Sequence, residues 1–185
     1  MLSTNKTFKY IQIGMYAALI IIAITYIRIP MPSAISNSFV HPGNALVILA
    51  VLLMGFKRGT IAACLGLFLF DSMNGYLAVA HFTVLENLIV LLVVSAVYQF
   101  IFKNKDNWGH IVSLGILGAT VKMIVIFIKY VIQQMILGAA FPAALMMAVT
   151  GMPASLFTGL ITAFLVPLLY FPMKRIFERY HIIGE

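Results

Sequence analysis

The chain has 185 residues, 63% of them hydrophobic and only 9% charged, with a formal net charge of +7. Soluble domains carry about 25% charged residues, so the composition excludes an ordinary soluble globule. The single cysteine, Cys64, lies in an apolar segment and excludes a disulfide framework.

Apolar runs of about 18 residues or more recur along the chain, the pattern of an all-α, polytopic membrane protein. A single membrane domain over 1–185 is expected, with six transmembrane helices near 10–29, 43–56, 59–76, 79–102, 110–137 and 146–173. At the N-terminus, Lys6 and Lys9 precede an apolar run through Ile27. Arg28 and two prolines follow it rather than a small-residue cleavage site, so it reads as a retained first span. With both termini cytoplasmic, Lys6, Lys9, Lys57, Arg58, Lys103, Lys105, Lys174, Arg175 and Arg179 all fall at inner helix ends. That is the positive-inside pattern, and it needs an even number of crossings. The basic surplus therefore orients the protein against membrane lipid, and no nucleic acid is expected as a partner.

The segment 43–56 is short for a crossing, which normally takes about 20 residues. Before it, residues 30–42 form a Pro- and Ser-rich outer connection suited to a semi-rigid lid. Pro153, Pro167 and Pro172 are expected to kink or end pieces of the last helix.

Asp71, Glu86, Lys122 and Lys129 remain unexplained by orientation. Each such group near a helix centre costs about 2.5–3.5 kcal/mol on insertion scales, so these side chains must face the interior, a wet cavity or one another. From the outer turns, Asp71 lies about 6 Å down, Glu86 about 12 Å and Lys129 about 13 Å, at about 1.5 Å per residue. Lys122 is about 10 Å deeper than Lys129 on the same helix face and is left out of the ligand set. Gln133 continues that stripe outward, and Asn74 shares a face with Asp71. With His41, Asn44 and Asn87, these residues place a polar pocket in the outer half of the bundle. Arg28, Tyr76 and His81 belong to the same side. The competing structural reading pairs Glu86 with Lys129 and Asp71 with Lys122 simply to hold helices together.

No H-E-x-x-H, no G-x-S-x-G and no P-loop occur in the chain. No catalytic residue, metal or cofactor is therefore assigned. A binding protein is expected, the alternatives being a structural or accessory membrane bundle or an ion-conducting subunit that uses the charges as a relay.

The stretch "HPGNALVILAVLLMGFKRGTIAACLGLFLFDSMNGY", followed by "FTVLENLIVLLVV", resembles the substrate-binding S components of energy-coupling factor (ECF) vitamin transporters. The shared features are an H-x-G-[ND]-A opening, a short apolar helix ending in G-[PF]-K-x-G, and D-x-x-x-G-Y. The resemblance is strongest to the pyridoxine/hydroxymethylpyrimidine-type members. It implies a six-helix protein of the prokaryotic cell membrane that captures a small vitamin outside. It also implies partners, a transmembrane T component and two cytoplasmic ATPases, so ATP hydrolysis would sit on separate chains. The family's A-x-x-x-A motif on the first helix has a counterpart in "GMYAA", where Gly14 and Ala18 form a small-xxx-small face. Packing within the bundle is the competing reading of that face. The ligand set implied here is Asp71, Glu86, Lys129, Gln133, Asn44, His41, Asn74 and Asn87.

Overall fold

The computed structural model describes residues 2–31 and 38–179. The apolar run after Lys6 folds into α1 (Leu2–Tyr26), which ends just before Arg28. The following connection holds two three-residue strands, β1 (Ile29–Met31) and β2 (Ser38–Val40), paired antiparallel with Ile29 opposite Val40. The otherwise helical fold thus gains a small ribbon, and the middle of the expected lid, 32–37, lies outside the described residues.

The short segment becomes α2 (Gly43–Met54), and it is buried along nearly its whole length. Its twelve residues span about 18 Å at 1.5 Å per residue, well short of a hydrocarbon core of about 30 Å. A helix that is apolar all round belongs in the middle of a bundle, and α2 packs on α1, α3, α4 and α7. Gly59, at the start of α3 (Phe56–Met73), lets that helix approach the α2 backbone at Ala50; a Cβ there would collide with the Ala50 carbonyl.

A 3-10 turn at Leu77–Val79 leads into α4 (Ala80–Ala96), which runs on through a π turn at Val97–Ile101. α5 (Trp108–Ile136) is capped by Asn107, whose side chain accepts from the His110 N–H at 2.9 Å. Residues 146–173 fall on two helices, α6 (Phe141–Thr150) and α7 (Pro153–Arg179). The break has a local cause. The Gly151 N–H bonds back to Met147 and Ala148, and Pro153 biases Met152 away from helical geometry. Pro167 and Pro172 stay inside α7. α6 rests on α5, where Ala144 and Ala148 pack against Tyr130 and Val131.

Among the described residues, four helical segments are long and apolar enough to cross a membrane: Thr7–Tyr26, Leu77–Ile101, Trp108–Ile136 and Pro153–Arg179. α2 and α6 are shorter, and α3 carries Lys57, Arg58 and Asp71 within 18 residues. The outward faces of the long helices are apolar, with Met15, Ile22, Ile124 and Phe164 among the exposed side chains. This is a multi-pass membrane protein.

Candidate functional site

A cavity of about 580 Å³ occupies one end of the bundle. Its wall is made by the C-terminal halves of α3 and α5 and the N-terminal halves of α2, α4 and α7. The basic residues Lys57, Arg58, Lys103, Lys105, Arg175 and Arg179 belong to the opposite helix ends.

Glu86, 5% exposed, stands at the centre of this wall. Its Oε1 accepts from Lys129 Nζ at 2.8 Å and its Oε2 from Lys122 Nζ at 3.0 Å. The expected Glu86–Lys129 pair forms. Lys122 does not go to Asp71 as the competing reading had it; a helix turn above and below, both α5 lysines lean on one α4 carboxylate. Lys129 also lies 5.1 Å from the centre of the Tyr130 ring, which spreads its charge over an aromatic face.

Asp71 faces the same cavity from α3 and is 6% exposed. The Thr83 hydroxyl reaches its carboxylate, while Oδ2 has no hydrogen-bond partner among the described residues. An unpaired carboxylate oxygen in a buried position is energetically unfavourable and needs a partner.

Asn44, Asn87, Gln133 and His41 also line the cavity. Asn87 is held by a 2.7 Å bond to the Thr83 carbonyl, leaving its own oxygen free to accept. His41 receives the Gly43 N–H on Nδ1 at 3.1 Å, so a neutral ring carries its proton on Nε2. Burial first, and then the positive charge of Lys122, pushes His41 below the ordinary histidine range and keeps it neutral near pH 7. Asn74 stands apart from the cavity. It caps α3, donating to the Phe70 carbonyl at 2.8 Å and accepting from Arg28 at 3.5 Å. His81 is exposed against Phe82.

Several wall residues were not in the sequence-derived set. Lys122 is one; Tyr130 and Gln134 on α5 are others. α7 adds Ser155, Thr158 and Thr162, a hydroxyl stripe at i, i+3 and i+7. That spacing was readable, but Thr162 spends its hydroxyl on the Thr158 carbonyl at 2.7 Å, the ordinary way a membrane helix hides a threonine. Gly118 lines the floor because any Cβ would run into Ile48.

On the far side of the bundle, Gly14 and Ala18 lie on the exposed face of α1. A Cβ added at Gly14 would meet nothing within 4 Å among the described residues, so the small-residue groove is not packed against the described helices.

The family model for the ECF-type riboflavin transporter, S component, matches residues 4–175. The chain belongs to this family of ECF S components. No curated protein and no solved structure matches it. As an S component it is the vitamin-binding subunit of an ECF importer and not an enzyme, with the ATPases of such systems on separate chains.

Proposed function

We propose that this S component captures a small water-soluble vitamin from outside a prokaryotic cell, pyridoxine or hydroxymethylpyrimidine being favoured. It then delivers the vitamin through a complex with a T component and two ATPases. In this reading the chain crosses the membrane six times with both termini cytoplasmic, α6 and α7 forming one broken crossing. The basic helix ends then lie inside and the cavity opens outward. Asp71, Glu86, Lys129 and Gln133 carry recognition, with Asn87 beside them and His41 and Asn44 at the entrance. Asn74 acts from outside the cavity, holding the end of α3. The exposed groove at Gly14 and Ala18 takes a helix of the T component.

The observation that carries the ligand choice is the cluster of ionic groups on the cavity wall, Glu86 with Lys122 and Lys129, and Asp71. A ring nitrogen or amino group suits a carboxylate, and a phenolate or hydroxyl suits an ammonium. Riboflavin is the second reading, favoured by the name of the matching family and by a cavity roomier than a single-ring vitamin needs.

Mass spectrometry of the small molecule released on denaturing the purified protein tests the proposal, backed by calorimetric titration with all three vitamins. Pyridoxine or hydroxymethylpyrimidine in the released fraction is the expected result. Flavin there would move the assignment to riboflavin. An empty protein that binds none of the three but conducts ions in liposomes would replace capture with conduction.

A further inference from the structure

The two carboxylates of the cavity are not equivalent. Both oxygens of Glu86 are committed, one to each lysine, at 2.8 and 3.0 Å. An ammonium has three N–H donors. With one each spent on Glu86, Lys122 and Lys129 keep two apiece for other partners. Two cations on one anion leave this wall with a net positive charge. The first turn of α7, whose Ala154 and Ser155 line the same cavity, adds the positive end of a helix dipole. Asp71, on α3, presents the reverse: a carboxylate 6% exposed, lining the cavity, with Oδ2 lacking any partner among the described residues.

We infer that the cavity is built for a zwitterionic heterocycle, with an N–H donor on Asp71 Oδ2 and an anionic oxygen between Lys122 and Lys129. The inference rests on the vitamin-capture reading and refines it. Glu86 becomes a positioning residue that holds the two lysines at the spacing the anionic oxygen needs, and Lys122 becomes a direct contact. A 3-hydroxypyridine fits this polarity, because near neutral pH it exists largely as a ring-protonated 3-oxide. A neutral ligand would leave Asp71 Oδ2 without a charged donor and the surplus positive charge of the two lysines on Glu86 uncompensated, which is unfavourable in a low-dielectric cavity.

The test titrates the purified full chain with pyridoxine, N-methylated pyridoxine, which lacks the ring N–H, and 3-O-methylpyridoxine, which cannot form the oxide. Each analogue should bind wild type about 10- to 100-fold more weakly than pyridoxine, the range for a lost charge-assisted bond. Asp71→Asn should weaken pyridoxine similarly yet add little to the loss already caused by N-methylation. Lys129→Met should behave likewise toward 3-O-methylation. Glu86→Gln should erase the preference for pyridoxine over its 3-O-methyl form while keeping discrimination against the N-methyl form. A merely structural role would lower both alike. Additive losses in these pairs would overturn the inference, as would equal affinity of wild type for all three ligands, a result that needs no variant to fold. Wild type that binds riboflavin and not pyridoxine would overturn the zwitterion while leaving vitamin capture intact. Wild type that binds no vitamin would overturn capture itself, and this inference with it.

Discussion

Lys122 donates to Oε2 of Glu86 at 3.0 Å, from the floor of the cavity to its wall. The contact explains how the deepest charge in the chain is tolerated. It also ranks the variants of this cluster. Glu86→Gln deprives two ammoniums of the carboxylate they share, and breaking a buried pair in this way costs about 3–5 kcal/mol. Lys122→Met leaves the 2.8 Å Glu86–Lys129 bond in place and removes a buried charge, so it should cost less. Thermal unfolding of the ligand-free protein should therefore give wild type the highest Tm, Lys122→Met an intermediate one and Glu86→Gln the lowest. Calorimetry should also show Glu86→Gln weakening vitamin binding by about 1–3 kcal/mol. A lowered Tm with unchanged affinity would leave the cluster a purely structural brace.

The ribbon of β1 and β2 gives the lid expectation a mechanical basis. Arg28 lies 5.6 Å from the centre of the Phe39 ring and donates to Asn74 at the end of α3. Phe39 in turn packs against Phe70, Tyr76 and His41 at the cavity edge. Ligand that fills the cavity should hold this aromatic cluster and the ribbon in place. A spin label at Met31, on β1, should lose mobility when saturating vitamin is added. Arg28→Ala removes an exposed cation–π contact worth about 0.5–1 kcal/mol and should raise the ligand off-rate about two- to fivefold. Equal label mobility with and without vitamin would remove the gating role.

Much of this site was legible from residue type alone. Asp71 and Glu86 stand out because a carboxylate inside an apolar run has few places to go, and both line the cavity. The pairing was not legible. Whether Lys122 meets Asp71 or Glu86 depends on the rotation of α5 against α4, which a helical period does not fix. Sharing a helix face with Asp71 placed Asn74 in the expected set, and at the last turn its amide caps the helix. The shortness of α2 was visible as an anomaly, and burial on all sides explains it. Strands of three residues, as in β1 and β2, carry too little pattern to be read at all.

At the end of the bundle away from the cavity, Asp106 in the α4–α5 loop accepts from Tyr170 at 3.0 Å and from Lys174, both on α7. Burial raises the Asp106 carboxyl, but these hydrogen bonds and the Lys174 charge outweigh it and hold the group below the ordinary aspartate value of 3.8. Because the folded state favours the ionised form, the stabilisation is fully present above that value and is lost as pH falls through the lower folded value. The carboxylate is partly open to solvent, so the contribution should be on the order of 1 kcal/mol. Asp106→Asn should melt below wild type at pH 7, and the gap should begin to close only as the pH falls below about 3.8. A gap that stays constant into the acid range would mean the carboxylate charge is not what ties the loop to α7.

The last prediction separates capture from delivery. Gly14 and Ala18 lie on the exposed face of α1, flanked by Ile11, Met15 and Ile22, and among the described residues nothing lies within 4 Å of a Cβ built on Gly14. In lipid, helices associate chiefly through van der Waals fit, and small residues four apart let a partner backbone come close. Leucines at both positions fill that groove. They reach neither the core side of α1, where Ile13, Ala17 and Ile20 are buried, nor the cavity at the other end of the bundle. Gly14→Leu with Ala18→Leu should therefore leave vitamin affinity and Tm of the isolated protein near wild type. Co-purification with the T component and ATPases should fail, and ATP-driven uptake into proteoliposomes with it. Uptake that survives the double substitution would place the partner on another face. Loss of binding by the isolated chain would show that α1 shapes the cavity through contacts other than those seen here.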